Sequence, residues 1–185
     1  MKIINAQKLK KGDLISILSP SAGLGELFPH RIENGIKYLE KIGFKVEVEK
    51  NALKRKNWVS GSIKERVDDI HSAFKNKKVK AIICTIGGNH SNQLLKYLDF
   101  KLIRNNPKIF LGYSDITVLH NAIYKKAGLR TFYGPCIISE FGEYPEMLPF
   151  TKNYFDKTLI EGAVGNIKPS KEWTDEFLNW FDTKF

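Results

Sequence analysis

Short apolar runs alternate with amphipathic stretches along this chain as far as Tyr133, and that alternation restricts the fold more than any other property of the sequence. Leu14 to Leu18 is rich in Leu and Ile and stops at Ser19-Pro20, where proline cannot continue a central ladder. Ile32, Ile36, Leu39 and Ile42 then recur at helical spacing before Gly43, in the position that a helix C-terminus favours. Phe44 to Val48 alternates apolar and charged residues, and Ile63, Val67, Ile70 and Phe74 mark a second helix after Ser60-Gly61-Ser62. Ala81 to Ile86 is almost continuously apolar and ends in Gly87-Gly88-Asn89, as expected of a strand covered on both faces. Ile109 to Leu111 is a further short strand. Ile116, Leu119, Ile123 and Ala127 predict a helix closed by Gly128, and Thr131 to Tyr133 predicts a last strand. Strands and helices in this order require right-handed crossovers and a parallel sheet. The predicted class is α/β, an open parallel sheet with helices on both faces.

With 185 residues, 42% of them hydrophobic, the chain can bury one ordinary core but not two full domains. No apolar run approaches the ~20 residues that span a bilayer, and Asn5, Gln7 and Lys8 interrupt any signal-like segment, so no membrane partner is expected and the location reads as cytoplasmic. Cys84 and Cys136 lie in apolar contexts that suit reduced, buried thiols. A formal charge of +10 raises the question of a nucleic-acid partner, with Lys54-Arg55-Lys56 and Lys75-Asn76-Lys77-Lys78 as the basic clusters. Those lysines fall on polar helix faces and loops, the usual place of solvated charge, which disfavours nucleic acid. No pair of His, Cys or carboxylate residues has zinc-site spacing, and no G-x-G-x-x-G follows a strand, so neither a metal nor a dinucleotide cofactor is expected.

Ligands of an open parallel sheet bind beyond the carboxyl ends of its strands. Two turns qualify. In Gly112-Tyr113-Ser114-Asp115, a serine on a tight strand-to-helix turn would project its hydroxyl from the sheet at a helix N-terminus, the geometry of a nucleophile elbow. Ile116 replaces the second glycine of the usual pattern, and Ser114 or Asp115 could instead simply cap the helix. In Thr85-Ile86-Gly87-Gly88-Asn89-His90, paired glycines before a helix could present backbone N–H groups to an anion or serve only a tight turn. His120, six residues beyond Ser114, would lie about 9 Å further along a helix and face away from it, as a core residue. His90 could approach Ser114 in space, against the weakened basicity of an imidazole at a helix N-terminus. His30 and His71 read as surface or helix-face residues.

SPSAG at Ser19 to Gly23, TIGGNHSNQLLKYLD at Thr85 to Asp99, GYSDIT at Gly112 to Thr117 and YGP at Tyr133 to Pro135 together resemble serine peptidase family S66, in order and in spacing. That family contains the murein LD-carboxypeptidases and the microcin C self-immunity proteins, and the IKPSKEWTDEF stretch looks closer to the immunity branch. The resemblance implies a flavodoxin-like or class I glutamine amidotransferase-like N-terminal domain, with Ser114 as nucleophile and the backbone amides of Gly88 and Asp115 as oxyanion donors. It also implies a histidine base oriented by a glutamate, both from a C-terminal domain that this chain lacks, since no histidine lies beyond position 120. A small peptide or peptidyl-nucleotide substrate, acyl-enzyme chemistry and an optional homodimer follow from the same resemblance. Residues 1–165 are read as the nucleophile-bearing domain and 166–185 as a linker, where Trp173, Phe177, Trp180 and Phe181 would form an aromatic stripe if helical. The competing reading is a non-catalytic binding or remnant domain of the same fold, inactive without the missing base.

Overall fold

The structure, a computed structural model, describes residues 2–176 and 179–183. Its strands are β1 (Leu14–Leu18), β2 (Lys45–Val48), β3 (Val79–Cys84), β4 (Ile109–Gly112) and β5 (Phe132–Tyr133). Its α-helices are α1 (Pro29–Lys41), α2 (Ile63–Lys75), α3 (Phe100–Asn105), α4 (Thr117–Ala127) and α5 (Pro149–Phe155). The strands form one parallel sheet in the order β2-β1-β3-β4-β5. Chain direction across the sheet therefore reverses at β1, which places the turns leaving β1 and β3 side by side at the switch point where such sheets bind ligands.

Successive strand residues point to opposite faces, so each strand feeds two cores. Ile15, Ile17, Ala81, Ile83, Ile109 and Leu111 pack with Ile32, Leu39, Phe141 and Phe155 on the face covered by α1 and α5. Leu18, Ile82, Cys84 and Phe110 pack with Val67, Ile70, Phe74, Leu119 and Ile123 on the face covered by α2, α3 and α4. Burial on both faces is why the strands read as continuous apolar runs. Both cysteines are free and buried, and burial pushes the Cys136 thiol up to about 12. No helix among the described residues is long and apolar enough to cross a membrane.

Local chemistry sets the element ends. Pro29 occupies the first turn of α1, where its missing N–H costs nothing. Ser62 and Glu65 form a reciprocal capping box on α2, with Ser62 Oγ accepting from the Glu65 amide at 3.2 Å and Glu65 Oε2 accepting from the Ser62 amide at 2.8 Å. Gly128, at φ +67°, closes α4.

Several expectations need correction. β3 begins at Val79 and ends at Cys84, so Thr85 and Ile86 already belong to the turn. No long helix follows the paired glycines: a single 3-10 turn, Ser91–Leu94, comes first and α3 starts only at Phe100, because the chain there is tied to neighbouring loops by its own N–H groups. Two π-helical turns, Ile137–Phe141 and Asp156–Glu161, have no counterpart in the sequence reading. Beyond Gly165 the described residues carry no helix, so Trp173, Trp180 and Phe181 do not share a helical face. Trp173 is exposed, Phe177 lies outside the described residues, and Trp180 instead packs edge-on against Phe28, with ring centroids 5.6 Å apart. The Trp180 ring also covers the buried Arg31 guanidinium at 4.9 Å, so a cation and one aromatic ring take the place of a helical face.

Candidate functional site

β4 ends at Gly112, where a Cβ would lie 3.1 Å from the Cβ of Cys84 and from Cγ2 of Ile116. Tyr113 continues extended, and Ser114 then turns to φ +61° before one 3-10 turn leads into α4. A left-handed backbone at a non-glycine residue costs of order 1–3 kcal/mol and persists only where the surroundings enforce it. Here the enforcement is the fully buried Ile116 on one side and the Thr117 hydroxyl on the other, which donates to the Ser114 carbonyl at 2.6 Å. The Ser114 side chain is exposed, and its Oγ makes no hydrogen bond among the described residues. Neither Ser114 nor Asp115 caps the helix through its side chain, so the bland alternative of the sequence reading is not the one adopted.

Asp115 turns its carboxylate back under the turn. Its Oδ2 accepts from Ser21 Oγ at 2.6 Å and from the amides of His90 and Ser91, both at 2.9 Å. Burial alone would push this carboxyl up, but the hydrogen bonds outweigh it and hold the group below the usual aspartate value. One carboxylate thus joins the loops that follow β1, β3 and β4. Hydroxyls tighten the first loop further, with Thr85 Oγ1 donating to Ser19 Oγ at 2.7 Å and Ser19 Oγ donating to the Ala22 carbonyl at 2.9 Å.

The paired glycines meet this arrangement at two points. A Cβ on Gly87 would stand 2.8 Å from Cβ and 3.0 Å from Oγ of Ser114, and 3.3 Å from the Asp115 amide nitrogen. Gly88, at φ +145°, would place a Cβ 2.4 Å from Ser21 Oγ. Without side chains, Gly87 lies directly against Ser114 and Gly88 lies directly against the loop after β1. The amides of Gly88 and Asp115 carry no protein hydrogen bond among the described residues. The sequence marked Gly87 only as half of a glycine pair that could face an anion or serve a tight turn, and Ser21 only as part of a quoted motif; the signal for both contacts was adjacency to a residue distant in the chain.

None of the histidines hydrogen-bonds to Ser114. His120 is buried, with Nε2 at 2.9 Å from the Gly112 carbonyl, and burial depresses its basicity. His71 accepts from the Asp99 amide at 2.9 Å. His90 Nδ1 and His30 Nε2 are buried with no hydrogen-bond partner among the described residues.

Residues 15–134 match the family model described as LD-carboxypeptidase N-terminal domain, Peptidase_S66. The chain is 43% identical over 176 residues to YocD of Bacillus subtilis (strain 168), covering 95% of this chain and 53% of that protein. It is 39% identical over 181 residues to the microcin C7 self-immunity protein MccF of Escherichia coli, covering 97% of this chain and 53% of that one. The solved structure of a variant of MccF in complex with adenosine monophosphate superposes with a TM-score of 0.92 at 38% identity, over 98% of this chain and 55% of that one. The chain spans about half the length of the curated relatives it matches. The family match and the fold agree, and the chain belongs to Peptidase_S66 as a representative of its LD-carboxypeptidase N-terminal domain.

Proposed function

We propose that this chain is the nucleophile-bearing part of a serine carboxypeptidase or amidase that cleaves an amide bond in a murein peptide or a peptidyl-nucleotide through an acyl-enzyme. The observation that carries the reading is the exposed Ser114 at φ +61°, set against a glycine turn that touches its side chain. In this mechanism Ser114 Oγ attacks the substrate carbonyl carbon, and the amides of Asp115 and Gly88 donate to the developing oxyanion. Collapse of the tetrahedral intermediate expels the amine, and water then hydrolyses the ester on Ser114. The Asp115 carboxylate does not oppose this charge strongly, because Ser21 and the amides of His90 and Ser91 already saturate its inner oxygen.

A serine hydroxyl needs a base, and the resemblance assigns that role to a histidine and glutamate in the part of the relatives that lies beyond this match. We take 166–185 as the lead-in to that second part, and the reduced, buried cysteines suit a cytoplasmic setting. The structures of MccF with adenosine monophosphate and with aspartyl sulfamoyl adenosine support a nucleotide-containing substrate, whereas the name murein tetrapeptide carboxypeptidase, given to a relative from Pseudomonas aeruginosa, supports a peptide. A homodimer fits either reading. The non-catalytic alternative draws on one observation, the absence of a histidine bonded to Ser114 among the described residues.

The deciding experiment uses the full product of the reading frame. It measures release of the terminal amino acid from murein tetrapeptide and cleavage of a peptidyl-adenylate, with mass spectrometry of the acylated enzyme. Cleavage of one substrate, an adduct on Ser114 and loss of at least about 10³-fold in Ser114→Ala are expected. Equal activity in wild type and Ser114→Ala removes the serine mechanism.

A further inference from the structure

Arg66 has no place in the motifs that point to the nucleophile, and in sequence it looks like one more charge on a polar helix. In the structure it is 2% exposed and extends from α2 beneath the carboxyl edge of the sheet. One terminal nitrogen donates to the Pro20 carbonyl at 3.0 Å and to the His90 carbonyl at 3.2 Å, and the other donates to Gln93 Oε1 at 2.7 Å. These acceptors belong to the loops after β1 and β3, the same two loops that Asp115 holds from the other side.

The peptide units of His90 are thus gripped at both ends. The amide of His90 donates to Asp115 Oδ2 at 2.9 Å while its carbonyl accepts from Arg66. Two residues upstream is Gly88, whose positive φ leaves the backbone little resistance of its own to rotation. A charged, planar donor with several N–H groups is the one side chain that can tie several carbonyl and amide oxygens from two loops at fixed angles. The cost is burial of a cation. Burial pushes the guanidinium down, the nearby Asp115 carboxylate offsets this, and Nε is left with no partner among the described residues. A purely structural helix position would not need that arrangement, since α2 already packs through Val67, Ile70 and Phe74.

We propose that Arg66 is a positioning residue for the reaction: it fixes the loop from Gly88 to Gln93 against the loop after β1, and so aims the Gly88 amide at the oxyanion formed beside Ser114. This rests on the serine-hydrolase reading above. The test uses Arg66→Met and Arg66→Lys in the full reading-frame product, with steady-state kinetics, the rate of Ser114 acylation by a fluorophosphonate, and amide hydrogen exchange of peptides covering 87–93.

In Arg66→Met, kcat and the acylation rate should fall by about 10²-fold, with KM changed less than about threefold, because aim rather than ground-state binding is lost. Lysine, which can reach one loop but cannot fork, should recover about tenfold of that loss. Exchange in 87–93 should speed up in the methionine variant while peptides from α4 keep their protection. If Arg66→Met does not fold, Arg66→Lys against wild type carries the same comparison, with slower acylation and faster exchange in 87–93 expected. Wild-type kcat in a folded variant, a loss confined to KM, or unchanged exchange in 87–93 overturns the positioning role. A wild-type enzyme that is neither labelled nor active overturns the hydrolase reading as well, whereas active wild type with an indifferent Arg66 overturns only this inference.

Discussion

Replacing Gly87 by alanine tests how the glycine turn meets Ser114. Gly87 has no left-handed backbone that would penalise a side chain, so the effect of one methyl group is contact alone. That methyl would sit 2.8 Å from Ser114 Cβ, about 0.6 Å inside ordinary van der Waals contact. Neither side yields easily. Ser114 is pinned by Thr117 and Ile116, and the glycine turn is held at its carbonyl by the Ala22 amide at 3.1 Å. Overpacking of this kind costs about 1–3 kcal/mol of stability. In reactivity, where a displacement near 1 Å can cost 10²-fold, a shift of this size should lower kcat by roughly tenfold to thirtyfold. The assay pairs urea unfolding of the 185-residue chain with kcat and KM of the full reading-frame product. A Gly87→Ala protein with wild-type midpoint and wild-type kcat would refute the contact between turn and serine.

Two further outcomes concern stability. Burial, reinforced by Glu49, pushes the Asp69 carboxyl up to about 6 against two hydrogen bonds from Asn51 that pull it down. The folded state therefore binds this proton at a pH where the unfolded chain has released it, so its contribution grows as pH falls from about 7.5 to about 5. Relative to Asp69→Asn, wild type should gain about 1–2 kcal/mol over that range in urea unfolding, and a pH-independent difference would contradict the shift. Ser62→Ala removes the capping box of α2 and should cost about 1 kcal/mol, read as a lower urea midpoint at unchanged slope.

The strands and long helices were legible because each is a local pattern: apolar runs for strands covered on both faces, and apolar residues at helical spacing for α1, α2 and α4. The elbow was legible only as a short turn, with capping an open alternative, because the sign of φ at Ser114 depends on Ile116 and Thr117 holding it. The contact of Gly87 with Ser114 and the burial of Arg66 were not legible. A glycine needed for closeness to a residue 27 positions later looks like any turn glycine, and a buried arginine bonded to distant carbonyls looks like a solvated one. The aromatic stripe failed for the opposite reason. Its spacing suggested a helical face, but Trp180 found Arg31 and Phe28 without one.

The left-handed Ser114 has a consequence for how this position can change over generations. Glycine there would release about 1 kcal/mol of backbone strain and delete the hydroxyl, so fold stability and chemistry favour different residues at a single site. In a lineage that no longer depends on hydrolysis, stability would draw the position toward glycine or asparagine. On the reading of Ser114 as nucleophile, its left-handed backbone is strain kept for the placement of one oxygen.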